Sequence, residues 1–139
     1  MTDDQTPLRR EDDPVETWVR ALTEVFVWKR IGVAPHYKGW LRVDPERLRL
    51  AGYEQGTTIF TTMWIPFEDV DAVRLSDASE EAIEGVHGIV LELDDQRPML
   101  VRADDPEADA EELQRLLRAA VFEGKQAAAF RDRQRRATL

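Results

Sequence analysis

The feature that most constrains the fold is a run of short alternating segments that are separated by turns and lead into a leucine-rich stretch. In residues 38–43 and again in residues 47–50, apolar side chains alternate with other types, as in a strand with one buried face. Asp44-Pro45-Glu46 lies between the two segments, with aspartate and proline in the order that a tight turn favours. This pattern predicts a β-hairpin.

The same reasoning predicts further strands along the chain. They are residues 57–65, 72–75, 88–93 and 98–103. Pro66 ends the first of them, and residues 67–70 are expected to make a single turn. The polar turn Asp94-Asp95-Gln96 joins the last two strands into a second hairpin. Asp77-Ala78-Ser79-Glu80 fits two alternatives, the start of a short helix that reaches Gly85 or an acidic loop.

Two amphipathic helices are predicted at the ends of this series of strands. Asp13-Pro14 has the order of an N-cap and a first helical residue, and the same order recurs at Asp105-Pro106. We therefore expect an N-terminal helix at 14–29 and a C-terminal helix from residue 106. The apolar stripes at helical spacing are Val15, Trp18, Val19, Leu22, Val25 and Phe26 in the first, and Leu113, Leu116, Leu117, Ala120 and Val121 in the second.

Length and composition indicate one globular domain. A chain of 139 residues with 42% hydrophobic and 34% charged residues is long enough for one core. We expect a disordered acidic arm at 1–12, a single domain at 13–123, and an Ala- and Arg-rich tail at 124–139, where the second helix either ends at Gly124 or continues. The N-terminus is acidic and polar, unlike a signal peptide, and no apolar run approaches the roughly 20 residues of a membrane span, so a cytoplasmic location is expected.

Several of these segments together resemble the pleckstrin-homology-like superfold, with the bacterial and GRAM-like versions closest in style. The resemblance covers roughly residues 38–122 and rests on Lys38-Gly39-Trp40-Leu41, on Ile65-Pro66-Phe67-Glu68-Asp69-Val70, and on a final hairpin that runs into a leucine-rich helix. It implies an α+β fold in which a bent antiparallel sheet or partly open barrel of about six or seven strands is closed by the C-terminal helix. It also implies binding of lipid, peptide or protein, and not catalysis. The N-terminal helix is an addition to the family pattern.

The first hairpin departs from the lipid-binding members of this family. Members that bind phosphoinositides place several basic residues in and around that loop. Here Asp44-Pro45-Glu46 puts two carboxylates at the tip, although Lys38, Arg42, Arg47 and Arg49 flank it. Because carboxylates repel phosphates, specific phosphoinositide binding is not expected.

Charge is unevenly distributed along the chain, whose formal net charge is −9. Residues 29–49 carry 6 basic and 2 acidic side chains and residues 113–139 carry 7 and 2, whereas residues 50–112 carry 3 and 17. The acidic middle argues against a broad nucleic-acid-binding face, which needs clustered lysine and arginine to displace counterions. Nucleic acid is therefore not an expected partner.

No residue pattern predicts catalysis, a metal site or a cofactor. His36 and His87 are far apart in the sequence and the chain has no cysteine, so the usual four ligands of a structural zinc site are lacking. The paired carboxylates are interpreted as solvated positions, because a glycosidase pair needs a defined separation across a cleft. They are Glu80-Glu81, Asp94-Asp95, Asp104-Asp105 and Glu111-Glu112. Ser76 and Ser79 lack the context of a nucleophile, and no small-molecule substrate is identified.

Alternation along the strands also predicts an apolar outer face. If Leu41, Val43, Leu48, Leu50, Ile89, Leu91, Met99 and Val101 face the core, then Trp40, Val90 and Leu100 face outward. Strand 57–65 is apolar on both faces, with Phe60 and Trp64 on the outer one. A patch of this size needs a cover. Two covers are open: the N-terminal helix over residues 14–28, or a second copy or another protein.

These observations predict a non-enzymatic interaction module that associates with itself or with a protein partner. The predicted contact residues are Trp40, Phe60 and Trp64, with Lys38, Arg42, Arg47 and Arg49 as a basic rim. The alternative is peripheral attachment to an anionic membrane through the basic segments 29–49 and 125–136, although arginines at a helix C-terminus also offset the helix dipole. An enzyme of unknown type is the third hypothesis.

Overall fold

Seven strands form one antiparallel sheet in the computed structural model, which describes residues 25–138. In chain order the elements are β1 (Phe26–Arg30), β2 (Tyr37–Val43), β3 (Arg47–Glu54), β4 (Phe60–Pro66), a 3-10 helix (Phe67–Asp69), β5 (Val70–Leu75), β6 (Ala82–Ile83), β7 (Val86–His87), β8 (Ile89–Leu93), β9 (Met99–Ala103) and helix α1 (Ala110–Ala137). Strands β6 and β7 form a separate short hairpin.

The strands are antiparallel throughout the sheet. Their order is β4-β3-β2-β1-β9-β8-β5, and every neighbouring pair is antiparallel. The sheet is curled, and its inner face packs with α1 around the main core. The fold is therefore α+β, a curled antiparallel sheet with a C-terminal helix, and it is compatible with the pleckstrin-homology-like roll that the sequence resembles.

The central strand β1 lies where the sequence predicted the end of a helix at 14–29. The acidic arm 1–12 and most of that helix lie outside the described residues, but Phe26–Arg30 pairs with both β2 and β9. Phe26 and Trp28 face the main core, and Val27 between them is buried on the other side. The helix prediction is wrong at 26–29 because β-branched and aromatic residues favour a strand, and burial on both faces removes the alternation that reveals one.

The predicted inward-facing residues form the main core. Seven of the eight are buried and Leu41 is partly buried against them. Trp28 is fully buried above the cross-strand pair Gly39 and Gly52, where a Cβ on Gly52 would come within 2.8 Å of Trp28 Cη2. The Trp28 ring also stacks on Tyr37 with centroids 6.0 Å apart. Glycine is required at this pair because a side chain at Gly52 would meet the indole and the Lys38 carbonyl, and one at Gly39 would meet the backbone of Ala51 and Gly52.

Helix α1 begins at Ala110 and not at residue 106 as predicted. Asp105 makes a turn of its own, in which its side chain accepts from Glu107 N at 3.0 Å. The N-cap is Asp109, whose carboxylate accepts from the backbone N–H groups of Glu111 and Glu112 at 3.0 and 3.3 Å. Aspartate recurs at short intervals in this segment, so the Asp105-Pro106 order predicted the N-cap four residues before the true one, Asp109.

The far end of α1 extends well beyond the core. The helix passes Gly124 and continues to Ala137, and its buried residues are Leu113, Leu116, Leu117, Ala120 and Gly124. Gly124 packs on Phe67 of the 3-10 helix, where an added Cβ would come within 2.8 Å of Phe67 Cβ. Within residues 25–138, no helix combines the length and the apolar character that crossing a membrane requires.

A second, smaller apolar cluster lies on the opposite face of the sheet. Val27, Val90 and Leu100 are buried there beneath Ile83 of the β6–β7 hairpin. Val90 and Leu100 face away from the main core, as the alternation predicted, but the β6–β7 hairpin covers them, and neither of the two expected covers was this hairpin. Residues 77–81 form a turn instead of a helix, and strands of two residues are too short to show a periodicity in the sequence.

Candidate functional site

The register of β2, β3 and β4 brings the predicted contact residues onto one face. Lys38 pairs with Tyr53 and Tyr53 with Phe60, while Arg42 pairs with Arg49 and Arg49 with Trp64. Residues that pair directly share a face of the sheet. We call this surface the outer aromatic face; its residues are Lys38, Trp40, Arg42, Arg47, Arg49, Tyr53, Phe60 and Trp64.

Four large aromatic side chains on this face are exposed. Trp40 is 54%, Tyr53 48%, Phe60 50% and Trp64 45% exposed. Tyr53 and Phe60 contact each other edge to face, with centroids 5.0 Å apart. Isolated exposed aromatics are ordinary, but a contiguous group on one sheet face is typical of an interaction surface. Tyr53 was absent from the predicted set, although its outward parity on β3 could have identified it.

The basic residues of the face surround Trp64 and Asp44. The guanidinium carbons of Arg47 and Arg49 lie 3.8 and 4.9 Å from the Trp64 ring centroid. Asp44 Oδ atoms lie 3.4, 3.7 and 3.9 Å from the Nε atoms of Arg42, Arg47 and Arg49. The Asp44 carboxylate therefore faces three guanidinium groups. Arg49 Nε is buried, and 3.9 Å is too long for a hydrogen bond, so its contact with Asp44 is purely an ion pair.

The acidic tip of the first hairpin is paired instead of free. Asp44 is directed at the arginines just described, and Glu46 forms an ion pair with Arg131 of α1. This second contact brings the two basic segments of the sequence, 29–49 and 125–136, together at the β2–β3 turn. At the other end of the face, Lys38 Nζ lies 3.3 Å from Asp104 Oδ1.

An ion-pair cluster that the sequence did not reveal lies on the opposite half of the sheet. Arg74 on β5 donates to Glu81 and Glu92, and Glu81 is only 7% exposed. The side-chain hydrogen bond with Glu81 raises the pKa of Arg74 above its usual value, and the same bond lowers the pKa of Glu81 to about 2. Through these ion pairs, Arg74 joins β5 to β8 and to the segment before β6, which indicates that the cluster has a structural role.

The histidines occupy separate places. His87 Nδ1 lies 2.9 Å from the Glu81 carbonyl oxygen and 3.0 Å from Ser76 Oγ, and Ser76 Oγ accepts from Gly88 N at 2.9 Å. Because a carbonyl only accepts, the first contact requires the proton on Nδ1. No group of three or more His, Cys, Asp or Glu suited to a metal ion occurs within residues 25–138.

A cavity of about 220 Å³ lies between the β6–β7 hairpin, β9 and the start of α1. Buried Arg102 lines it together with Phe26, His87 and Pro106. The guanidinium of Arg102 donates to three backbone carbonyls and to Glu84, so its donors hold the hairpin on the sheet and are not directed at a ligand.

Comparisons with known proteins add no family assignment to these observations. Neither a scan against protein-family models nor a search of curated proteins found a match to this chain.

Proposed function

We propose that this chain is a non-enzymatic protein-interaction module of pleckstrin-homology-like type that associates with a second copy of itself through the outer aromatic face. The observation that carries the proposal is the exposure of four aromatic side chains on one face of β2–β4. Tryptophan, tyrosine and arginine are the residue types that contribute most to protein interfaces, and all three are present on this face.

The proposal is also supported by the rigidity of the surface. These side chains stand on paired strands, and the register of those strands fixes their spacing. Arg47 and Arg49 lie on the Trp64 ring, so these side chains are already restricted before binding and lose less conformational entropy when the interface forms. Because less entropy is lost, more of the free energy gained by burying this surface remains as binding affinity.

The test is the mass of the full chain in solution. We expect sedimentation velocity and light scattering to show a concentration-dependent dimer, and Trp64→Ser or Phe60→Ser to shift the equilibrium toward monomer. Phe122→Ser is the matched control, since Phe122 is 62% exposed on α1 and outside this face. A chain that stays monomeric at every concentration, or a control that acts like the two test variants, would overturn the proposal.

The second candidate is peripheral attachment to an anionic membrane through the basic segments 29–49 and 125–136. The ion pair between Glu46 and Arg131 favours it, because the two segments then present one combined basic region. Vesicle flotation tests it: binding to vesicles containing phosphatidylserine should fall with added salt, and equal binding to neutral vesicles would contradict the electrostatic mechanism.

A further inference from the structure

The two edges of the sheet differ in how they are protected. At the β5 edge, the carbonyl oxygen of Val73 accepts from Gln114 Nε2 at 3.3 Å and from Arg118 Nε at 3.1 Å, so α1 covers it. At the β4 edge, the only strand that pairs with β4 among the described residues is β3. An open strand edge is a template for pairing with another chain.

The direction of the backbone groups on β4 can be read from the bonds at its two ends. Glu54 N donates to the Ile59 oxygen at 2.9 Å and Phe67 N donates to the Glu46 oxygen at 2.9 Å. Antiparallel ladders alternate, so the odd-numbered residues between these bonds direct their N–H and C=O groups at β3. The even-numbered residues Phe60, Thr62 and Trp64 direct theirs away from the sheet.

The composition of β4 also lacks the usual protection of an open edge. Natural edge strands carry charged side chains or bulges that prevent pairing. β4 is Phe-Thr-Thr-Met-Trp-Ile-Pro, without one charged residue in a chain that is 34% charged, and its register with β3 is continuous. Pro66, which has no N–H, ends the strand and limits pairing to the residues before it.

We propose that two copies of this chain pair through their β4 edges, antiparallel and centred on Thr62, so that each Phe60 lies opposite the partner's Trp64. The inference rests on the proposed self-association and names its geometry: Phe60 and Trp64 of the outer aromatic face enter the contact, whereas Trp40 and Tyr53 lie on β2 and β3, outside it. This register alone uses all of the free groups of Phe60, Thr62 and Trp64. A centre at Trp64 would set Thr62 against the partner's Pro66, which cannot donate, and a shift by one residue would turn the side chains to opposite faces.

Edge pairing keeps the two arginine clusters apart. Each cluster lies around Trp64, at the end of β4 that meets the partner's Phe60. In the edge-paired dimer the row from Arg49 and Trp64 continues into the partner's Phe60 and the partner's Tyr53, which are uncharged. The result is one continuous aromatic surface with Phe60–Trp64 cross-strand pairs on both sides of the two-fold axis.

A single cysteine tests the register directly, because the natural chain has none. Residues opposite each other in a hydrogen-bonded antiparallel pair have Cα atoms about 5.5 Å apart, a distance that a disulfide spans. We expect Thr62→Cys to form a disulfide-linked dimer under mild oxidation, whereas Thr58→Cys, which is exposed just before β4, should remain monomeric under the same conditions.

A charge at the two-fold axis gives a second measurement that needs no oxidation. Thr62→Lys places two ammonium groups opposite each other and should weaken the dimer about tenfold in sedimentation equilibrium, because like charges directly opposite are destabilising. Thr58→Lys, at an exposed residue outside the strand, should leave the dimer unchanged. Circular dichroism of both variants shows whether the monomer fold is retained.

The outcomes separate this inference from the function on which it rests. Dimers weakened by Trp64→Ser, cross-linked through Thr62→Cys and weakened by Thr62→Lys support both. Dimers weakened by Trp64→Ser but indifferent to both Thr62 changes would overturn the edge geometry and leave self-association standing. The absence of any dimer in the unmodified chain would overturn both.

Discussion

Arg74 donates to both carboxylate oxygens of Glu81, at 3.0 Å from Nη1 and 2.6 Å from Nη2. The same carboxylate accepts from the backbone N–H groups of Asp77 and Ala78, at 3.1 and 3.4 Å. Glu81 therefore joins β5 to the turn that precedes the β6–β7 hairpin. These bonds favour the charged carboxylate, and the hydrogen bond to Arg74 is the largest of the causes that lower the pKa of Glu81 to about 2.

Glu81→Gln should lower the free energy of unfolding at pH 7 by about 1–3 kcal/mol, the range for a buried hydrogen bond that involves charged groups. The pKa of Glu81 is depressed in the folded state, so its contribution is complete above the ordinary value of 4.5 and is lost as the pH falls toward about 2. The difference in unfolding free energy between the variant and the natural chain should therefore become smaller as the pH falls through that interval. Urea denaturation at several pH values measures it.

Glu80→Gln is the control, because Glu80 is exposed and adjacent. Its free energy of unfolding should stay close to that of the natural chain at every pH. If Glu80→Gln and Glu81→Gln behaved alike, the bidentate contact would have no special energetic role.

Gly124→Ala should destabilise the domain although alanine is the better helix former. Alanine is favoured over glycine by about 1 kcal/mol within a helix, but here its methyl group would overlap Phe67. Overpacking of this kind costs about 1–3 kcal/mol, so we expect a net loss. Thermal unfolding measures the change, and Gln126→Ala, at an exposed position of α1, should not lower the midpoint. A higher midpoint for Gly124→Ala would contradict the tight contact.

Ile83→Ala should cost about 2–4 kcal/mol of unfolding free energy, the range for large-to-small changes at buried sites. Ile83 covers the cluster of Val27, Val90 and Leu100 on the second face of the sheet. The variant should also bind a hydrophobic dye such as ANS more strongly, since that cluster becomes accessible. Val33→Ala, at a residue 37% exposed, should change neither measurement; an unchanged urea midpoint for Ile83→Ala would show that the hairpin is not needed as a cover.

Deletion of residues 1–30 should unfold the domain instead of merely uncovering the outer aromatic face. The deleted segment includes β1, which hydrogen-bonds to both of its neighbours and places Phe26 and Trp28 in the core. A chain without residues 1–24 keeps β1 and should unfold cooperatively in urea. A cooperative transition and β-type circular dichroism in the longer deletion would show that β1 is dispensable.

The sequence predicted those parts of the fold in which alternation is visible. The turn Asp44-Pro45-Glu46 sets the pairing of β2 with β3, and that register carries Lys38, Arg42, Arg47 and Arg49 to one side together with Trp40. The outward parity of Phe60 and Trp64 then adds β4 to the same face. The sequence was therefore sufficient to predict which residues share the outer aromatic face, apart from Tyr53.

Other parts were not readable because the determining contacts are distant or the segments are short. β1 is buried on both faces, so Phe26, Val27 and Trp28 show no alternation. Glu81 lies in a segment with many carboxylates, and nothing in its neighbours distinguishes it from exposed Glu80. Its role depends on Arg74, which meets it only when β5 and the hairpin are in place.

The position of β1 at the centre of the sheet also determines when the fold can be completed. Phe26 pairs with Gly39 close by in the sequence but also with Ala103, near the end of the last strand. The meander from β1 to β4 can form from local contacts, whereas β1 must wait for β9 before its second side is paired. During synthesis on the ribosome, one side of this apolar strand therefore stays unpaired until β9 has been translated, and this is the interval in which we expect the protein to be most prone to misassembly.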